Sequence, residues 1–156
     1  MNNKEKLDEF QKFLDYKFND KRILKQALYT AQYGNLHNRG KHCKEFTTIG
    51  DIVLKLILAL KLYDDGFRTP GGITLSKQLL ENNDIFGTIA DKEFNLSKYI
   101  FSVKGENLSN SKIMADVFEA IAGALYFDSK RNYKPVQEKI VDKFYEKYKT
   151  KFFENL

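Results

Sequence analysis

The sequence is poor in the residues that build cross-linked and turn-rich folds. Its 156 residues include one cysteine, two prolines, nine glycines and no tryptophan. A single cysteine, Cys43, excludes an intramolecular disulfide framework and fits a reducing compartment. Few glycines and prolines disfavour a β protein with many turns, because these residues dominate turns. The composition therefore favours long helices and predicts an all-α protein.

Long apolar segments are missing as well. No apolar run reaches the roughly 18 residues that a bilayer-spanning helix needs, and the polar N-terminus shows no secretory signal. We expect a soluble protein with no membrane partner, located inside the cell in the cytoplasm or the nucleus. A length of 156 residues suits one domain spanning 1–156 with a substantial core.

Positive charge is concentrated near the C-terminus. The segment 130–151 has eight basic and three acidic residues, an excess equal to the net charge of +5 of the whole chain. A helix is predicted over 136–152, and along it four lysines follow one another at intervals of four residues: Lys139, Lys143, Lys147 and Lys151. This lysine row is either an electrostatic footprint for a polyanion or a solvated helix face.

Apolar periodicity predicts further helices. They cover 7–14, a segment through Leu28 capped by Asn19-Asp20, 49–63, a segment opening at Thr74, 85–89 and 113–127. The helix over 49–63 is apolar almost all round, which predicts a central, buried helix. The polar segment 34–44, with Arg39 and Lys41, is predicted to be an exposed loop.

Three acids stand inside the two most apolar helices. Asp116 and Glu119 are three residues apart and therefore share a helix face, and Asp51 lies on the other helix. A buried carboxylate needs a cationic partner, a shared proton or a metal ion. If the helices pack together, the three carboxylates converge, and such oxygen ligands suit Mg²⁺ or Mn²⁺.

Other interpretations of these residues stay open. Asp51 can be a helix N-cap, since it follows Gly50 near a predicted helix start. Asp116 and Glu119 can form salt bridges with nearby lysines, namely Lys55, Lys77 or Lys112. His37, His42 and Cys43 can be imagined as a zinc cluster, although no second pair of ligands is evident.

Two segments carry a resemblance to a known family. Gly50-Asp51-Ile52-Val53-Leu54 and the segment from Met114 to Asp128 resemble the two acidic motifs of the ribonuclease III family. The spacing between them and the upstream segment 16–28 also resemble that family, so that the likeness covers about 7–148. The second motif is highly specific, and the first is only partly so.

The resemblance implies an all-helical endonuclease domain that is usually dimeric and acts on double-stranded RNA. In the family, four acids bind divalent metal, and three of them match Asp51, Asp116 and Glu119. We therefore expect Asp51 and Glu119 to be catalytic. The expected ligands of Mg²⁺, with Mn²⁺ as a substitute, are Asp51, Asp116, Glu119 and, weakly or through water, Thr47.

The sequence departs from the family pattern at several positions. Thr47 stands where the family has its fourth acid, a glutamate, and supplies no charge. Thr48 replaces a phenylalanine that enters the partner subunit, and Thr30 replaces a common histidine. Glu45 lies six residues before Asp51, about 240° round a helix, and is off the face unless the helix starts after it. The expected homodimer is therefore open to an alternative, a pairing with an intact paralogue.

RNA contacts are expected from the nuclease domain itself, because no segment has the pattern of a double-stranded-RNA-binding domain. The candidates are Lys139, Lys143, Lys147, Arg39 and Lys41, acting on phosphates without sequence specificity. Two competing functions remain. One is a catalytically impaired RNA-binding or ribonucleoprotein scaffold, favoured by Thr47 and Thr48, and the other is a helical interaction domain without an RNA role.

Overall fold

The computed structural model describes residues 1–72 and 83–153. Within these ranges the chain is predominantly helical, as the composition predicts. The α-helices are α1 Asn3–Leu14, α2 Lys21–Ala27, α3 Ala31–His37, α4 Lys44–Asp64, α5 Asn83–Lys92, α6 Ser111–Asp128, α7 Tyr133–Lys139 and α8 Tyr145–Phe153, with 3-10 turns at Leu96–Lys98 and Val141–Lys143.

The core is built around α6. This helix is buried along nearly its whole length, and both α4 and α5 pack against it. The helix is apolar and therefore central. Neighbouring helices approach it closely, as the sequence predicts, because it has small residues at Ala120, Ala122, Gly123 and Ala124.

Side-chain caps fix where several helices begin. Asn2 and Glu5 form a reciprocal capping box at the start of α1. Asp20 accepts a hydrogen bond from the Arg22 N–H and caps α2, as predicted. Asn110 caps α6 by accepting from the backbone of Lys112 and Ile113, which fixes the start of the helix that carries two of the three acids.

Three predictions are corrected, for the loop over 34–44, the helix over 136–152 and the burial of α4. The loop expected over 34–44 is in part helical, since α3 extends to His37 and only the residues from Asn38 to Cys43 link it to α4. Arg39 and Gly40 take left-handed backbone conformations there, with φ of +54° and +81°, which turns the chain towards α4.

The helix expected over 136–152 is broken. It ends at Lys139, passes Ile140 at φ −115° and ψ −65°, and starts again at Tyr145. Ile140, Val141, Phe144 and Tyr145, on either side of the break, are all buried. The lysine row is therefore divided among three elements.

The helix α4 is not buried all round. It is longer than predicted, and one face exposes four apolar side chains: Ile52 57%, Leu56 48%, Leu60 39% and Tyr63 49%. We call these four residues the α4 stripe. The predicted helix opening at Thr74, including Lys77, lies outside the described residues. No helix in the described ranges is long and apolar enough to span a membrane.

Candidate active site

The candidate site forms where α4 crosses α6. A Cβ atom on Gly50 would lie 1.7 Å from the Glu119 backbone oxygen, and one on Gly123 would lie 2.3 Å from the Phe46 backbone oxygen. Only glycine fits at these two points, because the opposing atoms are backbone and cannot swing aside. The crossing places Asp51, the neighbour of Gly50, beside Glu119.

Glu119 is a buried acid without a partner. Its exposure is 6%, and no other described residue forms a hydrogen bond or an ion pair with its carboxylate. Burial, and then the charges of Asp51 and Asp116, raise the pKa of Glu119 to about 8, although Lys55 acts in the opposite direction. A proton or a nearby cation would therefore stabilise this carboxylate, whose oxygens are not completely closed off from solvent.

A second buried acid of α6 provides the contrast. Asp128 is 7% exposed, and its carboxylate accepts from the Tyr16 hydroxyl at 2.8 Å and from the backbone N–H groups of Asn19 at 2.9 Å and Asp20 at 2.8 Å. These donors satisfy the charge and fix the link between α1 and α2 against α6. The fold supplies hydrogen-bond donors to Asp128 and none to Glu119. These two buried acids of α6 therefore have different roles.

Asp116 lies between the buried and exposed parts of the site. Burial raises its pKa, and the ammonium groups of Lys44 and Lys112 oppose that shift. Asp116, Lys44 and Lys112 line a cavity of about 200 Å³ together with seven other residues, among them Thr30 and Glu106. Lys44 is a site residue that the sequence did not reveal, since its spacing from Asp51 does not show which side chain of α6 it faces.

Asp51 is not a helix N-cap, because α4 begins at Lys44. Its Oδ2 atom accepts from the Lys55 Nζ atom at 2.9 Å, one helical turn further along α4. The salt bridge that the sequence allowed between Lys55 and Asp116 or Glu119 is thus made with Asp51 instead.

The Thr47 hydroxyl joins the two helices. It lies 3.1 Å from the Asp116 backbone oxygen and 3.2 Å from the Cys43 backbone oxygen, and can donate to either. Glu45 belongs to the first turn of α4, and its carboxylate accepts from the Gln26 side chain. Glu45 therefore does not replace the missing fourth acid.

The side chains do not converge on one point in this arrangement. Within 1–72 and 83–153, no three His, Cys, Asp or Glu side chains stand close enough together to hold one metal ion. This holds for the three acids and for the imagined zinc cluster, in which the His42 Nδ1 atom accepts from the Lys44 N–H. Yet Glu119 is a buried oxygen ligand without a partner, with two further carboxylates close enough to shift its pKa. The donor set therefore fits a hard divalent cation in charge and chemistry.

The basic residues proposed for RNA lie in two places. Arg39 and Lys41 are exposed in the segment that leads into α4, at the end of that helix nearer Asp51. The lysine row lies elsewhere: the Lys139 Nζ atom is 3.1 Å from Asp15, the Lys147 Nζ atom is 2.6 Å from Glu93, and Lys143 covers the Phe13 ring. The Lys151 side chain lies outside the described part.

The decisive comparison covers both helices of the site. A family model described as the ribonuclease III domain matches residues 44–130, from the first residue of α4 to just beyond α6. The chain belongs to the ribonuclease III family.

Individual relatives agree with this assignment. A ribonuclease 3 of Clostridium kluyveri is 31% identical over 142 residues, covering 88% of this chain and 57% of the relative. A ribonuclease 3 of Treponema denticola is 35% identical over 132 residues, covering 81% of this chain and 53% of the relative. The chain thus spans somewhat more than half the length of these ribonuclease III proteins.

A solved structure supports the fold. The nuclease domain of ribonuclease III from Campylobacter jejuni superposes with a TM-score of 0.75 at 22% identity, covering 88% of this chain and 94% of that one. That protein is described as flexible in a region involved in dimer formation. The all-α ribonuclease III fold expected from the sequence is confirmed.

Proposed function

We propose that this chain is the nuclease domain of an endoribonuclease that hydrolyses phosphodiester bonds of double-stranded RNA and depends on a divalent metal ion. The observation that carries the proposal is Glu119, a largely buried residue at the crossing of α4 and α6. Its carboxylate has no partner among the described residues, and the charges of Asp51 and Asp116 act on it. Membership of the ribonuclease III family supports the substrate class. An intracellular place of action, in the cytoplasm or the nucleus, remains a prediction of the sequence.

Asp51, Asp116 and Glu119 are the proposed ligands of Mg²⁺, or of Mn²⁺ as a substitute. A bound divalent ion supplies an activated water and stabilises charge on a phosphate. Glu119 contributes the carboxylate that a positive charge would stabilise most. Asp51 contributes a second carboxylate from the facing helix. Thr47 takes part at most through a water, because its hydroxyl proton lies between two backbone oxygens.

RNA is proposed to approach the face that carries Asp116. Arg39 and Lys41 precede α4, and Lys44 and Lys112 flank Asp116. Phosphate contacts of this kind supply sequence-independent and salt-dependent affinity. Lys139, Lys143 and Lys147 stay candidates, since exposed ion pairs contribute little and can exchange for a phosphate.

A homodimer is proposed on the basis of the α4 stripe. Ile52, Leu56, Leu60 and Tyr63 recur every three or four residues and form one exposed apolar face on the helix that carries Asp51. A contiguous exposed apolar face is characteristic of an interaction surface, and a second copy presents the same face about a twofold axis.

A second function is favoured by Thr47. With a hydroxyl in place of a carboxylate, the site lacks one charge, and the chain would then serve as an RNA-binding scaffold without cleavage. In that case Thr47→Glu should produce or increase cutting of duplex RNA, since it adds the missing charge on the Asp51 face of α4. If Thr47→Glu leaves cutting unchanged, the absent charge is not what limits the site.

The deciding experiment is cleavage of a labelled RNA duplex with Mg²⁺, with Mn²⁺ and with chelator. Glu119→Gln should reduce the rate at least 100-fold and leave duplex binding and the helical fold intact, because it removes a metal-binding charge and preserves shape. Glu138→Gln, on the exposed face of α7, is the matched control and should cut normally. Cleavage that survives Glu119→Gln would remove Glu119 from the site, and binding without cutting by the unmodified chain would favour the scaffold.

A further inference from the structure

Lys55 occupies an unusual place within the acid centre. It stands one turn after Asp51 on α4, and its Nζ atom lies 2.9 Å from the Asp51 Oδ2 atom. The two side chains are only 34% and 29% exposed, so that this ion pair is partly withdrawn from water. It is therefore stronger than a fully solvated pair of the same spacing.

The same ammonium group acts on the facing helix. Glu119 on α6 is also near enough for the Lys55 charge to act on it. The Lys55 ammonium is therefore paired with Asp51 and close to a second carboxylate, which α6 brings to the crossing. The Lys55 ammonium is thus a monovalent cation beside two carboxylates that are proposed to bind the divalent ion.

The Lys55 ammonium and a divalent ion compete for the Asp51 carboxylate. Its two oxygens could accept from both, but two cations a few Å apart repel strongly in a partly buried site. Metal ligation is therefore favoured when the ion pair opens. The lysine side chain has a flexible four-carbon stem and can swing outward without moving α4.

We propose that Lys55 is an internal competitor for the metal site: its ammonium holds Asp51 in the metal-free protein and is displaced when a divalent ion binds. This inference rests on the proposed function only in its use of a divalent metal. Displacement also accounts for the side-chain arrangement, because Asp51 is drawn along α4 towards Lys55 and the three acids do not yet converge. The released ammonium is then available to a phosphate of the RNA.

The test is calorimetric titration of the metal-free full chain with Mn²⁺ in the absence of RNA. Lys55→Met should bind Mn²⁺ about tenfold more tightly than the unmodified chain, equivalent to about 1.4 kcal/mol. Lys55→Arg keeps the cation and should retain the weaker affinity. Lys104→Met removes one exposed positive charge from the segment before α6 and should change the affinity less than about twofold, since distant surface charges are screened.

The outcomes separate this inference from the endonuclease proposal. Equal or weaker Mn²⁺ binding by Lys55→Met, or an equal gain in Lys104→Met, overturns the internal competitor. A failure of both the unmodified chain and Lys55→Met to bind Mn²⁺ also overturns it. Tighter binding by Lys55→Met in a chain that does not cut RNA supports the competitor and rejects the endonuclease.

A second readout needs no titration. In chelator at pH 8, Lys55→Met should melt at a lower temperature than the unmodified chain, because Asp51 loses the cation that pairs with it and Glu119 loses a nearby positive charge. Mn²⁺ should raise the melting temperature of Lys55→Met by more than it raises that of the unmodified chain. A smaller rise in the variant contradicts the proposal.

Discussion

At the scale of single residues, the two buried acids of α6 show how environment assigns a role. The Asp128 carboxylate accepts four hydrogen bonds from Tyr16, Asn19 and Asp20 and is satisfied by the fold. Glu119 has no such donors within the described part of the chain. A largely buried carboxylate to which the fold offers no donor raises the free energy of the metal-free protein when it is ionised, and a proton or a cation lowers it again.

This difference predicts how stability changes with pH. Burial raises the pKa of Glu119 from 4.5 to about 8, so that between these values the folded chain holds a proton that the unfolded chain has lost. The free energy of unfolding should therefore fall as pH rises through this window, by at most about 1.4 kcal/mol per pH unit. Melting curves in chelator from pH 5 to pH 9 measure it.

The comparison for this prediction is Glu119→Gln, which cannot ionise. The difference in stability between the two proteins should grow from pH 5 to pH 8 in favour of the variant. Mg²⁺ should stabilise the unmodified chain more at pH 8 than at pH 5, because it binds the ionised carboxylate. A difference that does not depend on pH would mean that Glu119 titrates at its ordinary value.

At the scale of elements, the contact of α4 with α6 determines both the core and the site. We expect Gly50→Ala to destabilise the chain by at least about 3 kcal/mol, the upper end of overpacking costs, because the new Cβ atom would meet the Glu119 backbone oxygen. The melting temperature should fall by roughly 6–12 °C. Gly71→Ala is the control, since the nearest atom there is 4.0 Å away. Equal stability of the two variants would contradict the crossing.

How far the sequence predicts these elements depends on what each pattern encodes. The apolar run of α6 predicts burial because polar residues are nearly absent on every side. The similar run of α4 does not, since Ile52 and Leu56 look like core residues although they face outward. The break at Ile140 also escapes prediction, because the spacing of apolar residues from 136 to 148 fits one continuous helix.

The residues of the candidate site also differ in how far the sequence predicts them. Sequence spacing places Asp116 and Glu119 on one face and Asp51 on the other apolar helix, and the family resemblance supports all three. The partners of these acids depend on the crossing, which the sequence does not give. The pairing of Lys55 with Asp51, the position of Lys44 beside Asp116 and the hydrogen bonds of Thr47 come from the structure alone.

At the scale of the whole molecule, the α4 stripe predicts self-association. Leu56→Glu should convert a dimer into a monomer, because burying a leucine contributes roughly 1.5–3 kcal/mol and twofold symmetry applies the loss twice. Sedimentation velocity over a range of concentrations measures this. Leu36→Glu, on α3 and away from the stripe, is the control for an exposed leucine. A chain that is monomeric throughout, or equal disruption by Leu36→Glu, would reject the stripe as the interface.

The close crossing at Gly50 and Gly123 also bears on how the chain tolerates mutation. A selection that reads only the amount of folded protein should reject side chains at the two glycines and accept uncharged substitutes at Glu119. A selection that reads activity should reject both. The residues required for folding and those required for activity are therefore separable, although they lie within one turn of helix. A lineage that lost its activity would be recognisable by intact glycines beside altered acids.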